Sequence, residues 1–138
     1  MGIKYFEAPD VKEIAEEIVD ILELQHIEFK HVYFYRSVGS KSKWTIARIY
    51  GLGKIWQKTL KISPSYIIEV ISERYDKLDN ELQLKTVIHE LLHIPKGFSG
   101  GFRSHKGYVT KKTIERLYLE MKEKKLKKRF LNVPSLLT

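Results

Sequence analysis

The chain has 138 residues, 43% hydrophobic, 12% aromatic and 30% charged, with 25 Lys+Arg against 17 Asp+Glu. That length predicts a single domain over residues 1–138 with its own core, and so apolar a composition excludes a disordered chain. With no cysteine, disulfides, thiolate metal sites and cysteine nucleophiles are excluded together, so any metal must be held by histidines and carboxylates.

The start, Met1 to Glu7, has no apolar export core, and no run nears the roughly 18 apolar residues of a membrane span. The expectation is a soluble, cytoplasmic protein. Pro9-Asp10 with Glu13 predicts a helix start in which the Asp10 carboxylate caps a free N–H. Val11, Ile14, Ala15, Ile18, Ile21 and Leu22 then recur at helical spacing, with acidic residues on the other face. Phe29 to Arg36 reads as a strand, Ser37 to Lys43 as a loop, and Trp44 to Tyr50 as a second strand closed by Gly51 and Gly53. Lys54 to Ile62 fits a short helix or a loop.

Tyr66 to Ile71 is made almost wholly of β-formers and is the clearest strand. After a turn through Asp76 to Asp79, Asp79 can cap a helix reaching Ile94, where Pro95 stops it. Leu84, Val87, Ile88 and Leu91 form its core stripe. Lys96 to Gly107 is a glycine-rich loop, and Ile114, Leu117, Tyr118 and Met121 predict a last helix over about Thr110 to Lys125. The fold class is α+β: a small sheet packed on an N-terminal helix, the middle helix and a C-terminal helix.

The middle helix contains His89-Glu90-Leu91-Leu92-His93, an H-E-x-x-H. Four residues turn an α-helix by about 400° and rise about 6 Å, so both imidazoles leave one face within reach of one ion. Neutral imidazoles suit a single Zn²⁺ with room for a third ligand and a water. Glu90 flanks the same edge and is the candidate general base for a zinc-bound water attacking a peptide carbonyl. The metzincin spacing fails, because Lys96 and Ser99 stand where Gly and His would be needed. His105 is the favoured third ligand, since the glycines of the intervening loop allow a sharp return to the helix. Glu115, on the last helix, is the alternative. Arg103 and Tyr108 flank His105 as candidate transition-state stabilisers. Glu69 is a candidate partner for a ligating imidazole, or a strand residue facing water. His26 and His31 read as structural or exposed, and Trp44 and Trp56 as core or rim.

The run from His89 through Ile94-Pro95, Ser99-Gly100-Gly101 and Arg103 to His105, with Tyr66 to Tyr75 upstream, resembles the archaeal and phage-type metallopeptidase family. The likeness covers about residues 45–118. It implies a minimal zincin with His89, His93 and His105 on zinc and Glu90 as base; it brings no substrate of its own, and the expected reaction, zinc-dependent peptide-bond hydrolysis, calls for a peptide or protein. A more distant similarity to SprT-like zincins brings in DNA-associated proteolysis. Charge distribution is consistent with that: residues 1–30 carry three basic and eight acidic groups, whereas Lys106 to Phe130 holds ten Lys/Arg and three Glu. The basic last helix and a tail over about 122–138 are thus a candidate nucleic-acid surface. A nucleic-acid-binding protein with a structural metal is the competing class, and a solvated lysine-rich face of thermophile-like composition explains the same charge.

Overall fold

The computed structural model describes residues 2–132. In chain order it forms β1 (Lys4–Glu7), α1 (Pro9–Ile21), a 3₁₀ turn (Phe29–His31), β2 (Val32–Val38), β3 (Ala47–Gly51), α2 (Lys54–Leu60) and β4 (Tyr66–Ile71). It continues with α3 (Ser72–Tyr75), α4 (Asn80–Leu92) and α5 (Lys111–Asn132). The class is α+β. The four strands lie in the order β1-β2-β4-β3, with β2 and β4 parallel and both edge strands antiparallel to their neighbours.

The two central strands set the register of everything else. Val32 pairs with Tyr66 and Phe34 with Ile68, which puts Val32, Phe34, Tyr66, Ile68 and Val70 on one face, all buried. On that face sit Val11, Ala15 and Ile18 of α1 and Val87, Ile88 and Leu91 of α4, the stripes predicted from helical spacing. α5 closes the far side of these helices through Tyr118 and Met121. A parallel pair flanked this way is buried along most of its length, which is why Tyr66–Ile71 carries so little polarity.

Several expected boundaries move. Asp79 caps α4 as predicted, its carboxylate accepting from the Leu82 N–H at 2.9 Å. Asp10 does not cap α1: Ala8 occupies the cap position with Pro9 behind it, and Asp10 instead pairs with Arg36 at 2.7 Å. Arg36 also holds Asp76 at 2.7 Å, so one β2 guanidinium ties the start of α1 to the end of α3. The second strand begins at Ala47 rather than Trp44, although the Ile46 carbonyl still accepts from Ile71 N at 2.8 Å. Lys54–Leu60 is helical, and Lys61 ends it in the left-handed region at φ 55°. β1 and the single turn of α3 have no counterpart in the sequence reading. α5 runs seven residues past Lys125, so the basic tail expected from 122 is helix to Asn132, and residues 133–138 lie outside the described ones. Among the described residues no helix is long and apolar enough to cross a membrane.

Tyr75 is 1% exposed and its hydroxyl has no hydrogen-bond partner among the described residues. Burial pushes the phenol up to about 12 from 10.0, with the nearby Asp10 carboxylate adding to the shift. The folded state therefore holds this proton more tightly than the unfolded chain. The stability it contributes is intact below pH 10 and is lost between pH 10 and about 12. Tyr75→Phe should flatten that alkaline loss in denaturant titrations. Near neutrality it should be neutral or stabilising by about 1 kcal/mol, because it removes a buried unpaired hydroxyl.

Candidate metal centre

α4 carries His89 in its last turn and His93 at its C-cap, ahead of the loop between α4 and α5. The loop is not free to wander. Gly100, at φ +97°, lies so close to β3 that a Cβ on it would overlap the Leu52 carbonyl, and one on Gly51 would overlap the Gly100 carbonyl. Tyr66 stitches the same turn, its hydroxyl donating to the Gly101 carbonyl at 2.7 Å and accepting from Gly100 N–H at 2.9 Å. Gln57 of α2 donates to the Leu52 and Ser99 carbonyls at 2.7 and 2.8 Å. Phe98 is buried edge-on against Tyr66, with ring centroids 5.0 Å apart.

This docking returns His105 to α4. Ligand atoms of His89, His93 and His105 all lie within 4.8 Å of one another, a group able to hold a metal ion. Nε2 of His89 and Nε2 of His105 are 3.2 Å apart. Two imidazole nitrogens on a tetrahedral zinc, each at about 2.0–2.1 Å, stand about 3.3 Å from one another, so this donor pair fits such an ion. His93 Nδ1 lies 2.8 Å from the Arg103 carbonyl, which can only accept; the ring therefore keeps its proton on Nδ1 and leaves the Nε2 lone pair free. Arg103 N–H donates in turn to the His93 carbonyl at 2.7 Å.

The charges suit the same purpose. Burial drives His89 down to about 4, and the neighbouring His93 and His105 push the same way, so it is neutral and a competent ligand across the physiological range. Glu90 is 7% exposed, and burial raises it to about 7. One of its oxygens stands 4.0 Å from His89 Nε2.

Other residues named from sequence fall elsewhere. Glu115 is outside the three-histidine group, its carboxylate paired with Lys85, which also holds Glu81 at 3.0 Å. Glu69 neither faces water nor meets an imidazole: it is 1% exposed and accepts from the Tyr50 hydroxyl at 2.5 Å. Arg103 stacks over the Tyr108 ring at 5.6 Å and has no carboxylate partner among the described residues. His26 has a structural contact, its Nε2 at 3.3 Å from the Ile94 carbonyl. Neither tryptophan is core: Trp44 is 85% exposed at a cleft rim, and Trp56 is exposed on α2. The parts unseen in the sequence were the pins, Tyr66, Gln57 and the Gly51–Gly100 approach. A glycine closing a strand is a signal for such close backbone contact.

Residues 3–126 match the family model described as "Putative phage metallopeptidase". The chain belongs to that family. The match extends well beyond the H-E-x-x-H helix, from before β1 to within α5. No curated protein and no solved structure matches the chain. Membership in a metallopeptidase family and the convergent histidines agree on a metal-dependent hydrolase of peptides or proteins.

For this family member, the loop pins give a direct test. Gly100→Ala places a methyl group against the Leu52 carbonyl at a φ that L-residues rarely adopt. Divalent-metal affinity, read by chelator competition, should fall about tenfold or more while far-UV circular dichroism keeps its helical signal.

Proposed function

We propose that the chain is a zinc peptidase of the zincin kind, in which His89, His93 and His105 hold one ion and Glu90 is the general base. The observation that carries this reading is the convergence of three imidazoles beside a buried carboxylate on one helix edge. When bound, zinc would polarise the scissile carbonyl and acidify the attacking water. His93 is held in the liganding tautomer by the Arg103 carbonyl. Glu90 takes the proton of the attacking water on its carboxylate and later delivers it to the leaving amine. Its dry setting favours both steps, because a carboxyl raised towards neutrality exchanges protons readily at that pH. Arg103, whose guanidinium lies over the Tyr108 ring, and Tyr108 itself are the candidate stabilisers of the developing oxyanion. Glu115 is the weaker third ligand, since Lys85 already neutralises it.

Metal analysis of the purified protein coupled to a casein digest tests the assignment. Glu90→Gln should keep one zinc per chain and lose activity by about a hundredfold or more. His105→Ala should lose most of the zinc. If Glu115→Ala loses it instead, the ligand set is wrong, and full activity in Glu90→Gln would remove the mechanism.

A narrower reading, a DNA-associated peptidase, is supported by the exposed Lys122, Lys125, Lys127, Lys128 and Arg129 on the second half of α5. Single-stranded DNA should then stimulate casein cleavage, an effect that fades as salt rises. Zinc retained in a protein that binds DNA and cleaves nothing would favour the structural-metal class.

A further inference from the structure

A cleft of about 510 Å³ opens directly from His89 and Glu90, walled by α4, α5 and the segment leading into β3. Most of its surface is apolar, from Ile46 on one side, Leu82 on α4, Ile114 on α5 and the exposed Trp44 ring at the mouth. Lys85 and Glu115 lie in the same cleft but neutralise each other. Lys111, at the first turn of α5, has no carboxylate partner among the described residues and stands at the rim as an ammonium open to an anion. The exposed Trp44 and Leu82 side chains offer apolar surface that an occupant would shield from water, and the Lys111 ammonium beside them offers a positive charge to an anion.

The geometry points to a specificity cleft for a peptide with a large apolar side chain next to the scissile bond and a carboxylate on the residue beyond it. The apolar side chain fills the space between Leu82 and Ile114 under Trp44. The carboxylate, from an acidic side chain or a free chain end, meets Lys111. The cleft is continuous with the candidate catalytic edge, so the residue it grips is the one nearest Glu90. This inference names the substrate class of the proposed peptidase and rests on that reading only for the meaning of "scissile".

Binding is measured on the metal-free protein, where no cleavage is needed. The chain has two tryptophans, so Trp56→Phe leaves Trp44 as the single indole reporter. Four N-acetylated peptides are titrated: Phe followed by Asp with an amidated end, Phe followed by Asn with an amidated end, Ser followed by Asp with an amidated end, and Phe followed by Gly with a free carboxyl end. The first or the last should bind about tenfold tighter than the second and third, with a blue shift of Trp44 emission. Whichever of the two wins identifies the source of the carboxylate. Thr86→Phe, which fills the cleft from α4, should weaken the Phe peptides about tenfold without changing zinc content, and Lys111→Gln should abolish discrimination for the carboxylate. Equal binding of all four peptides, or a Thr86→Phe protein that binds them normally, overturns the proposal. Selective binding by a protein that, once loaded with zinc, cleaves neither these peptides nor casein leaves the cleft assigned and removes the peptidase.

Discussion

The histidine cluster depends on a backbone-to-backbone contact between the turn at Gly100 and the end of β3. Two peptide chains can approach this closely only where neither carries a Cβ, and Gly51 and Gly100 meet that condition from opposite sides. Once the turn is seated, the Tyr66 hydroxyl satisfies both a donor and an acceptor of the loop, and Gln57 satisfies two carbonyls. The turn thus has its Ser99 and Gly101 carbonyls and its Gly100 N–H paired by side chains rather than by a neighbouring strand. His105 inherits its position from that seating.

Burial then tunes the chemistry. The same desolvation acts in opposite directions on two adjacent residues of α4, holding the His89 imidazole neutral and keeping the Glu90 carboxyl close to its protonated form. Neither effect requires a charged neighbour of opposite sign. Both follow from placing the edge of a helix between a sheet and a packed loop, with Ile88 and Leu91 driving that helix into the core. The apolar stripe and the histidine edge are offset around the helix axis, so core packing and the histidine cluster do not compete for the same positions.

Much of this was legible in the residues themselves. α1, β4 and α4 were evident because their apolar spacing is regular and their ends carry recognisable signals, above all Asp79 and Pro95. His89, Glu90, His93 and His105 were nameable from spacing and from the glycines between them. β1 was not, because all four of its residues are exposed and it exists only by pairing with β2. The last turns of α5 escaped notice because lysines replace the apolar repeat after Met121. The fate of Glu69 and Trp44 needed three dimensions: a strand glutamate is buried only if a cross-strand tyrosine such as Tyr50 reaches it, and a tryptophan is left at a rim only if its strand starts late.

The reciprocal pair between His93 and Arg103 runs through the main-chain atoms of residue 103, not its guanidinium. The instruction that orients this imidazole is therefore written in the path of the chain. Mutation at position 103 can change the charge beside the cluster while leaving the ring's tautomer untouched, so the two properties are free to drift apart during evolution. A site built this way is robust to side-chain exchange at its perimeter and fragile to insertion or deletion of a single residue between Pro95 and His105.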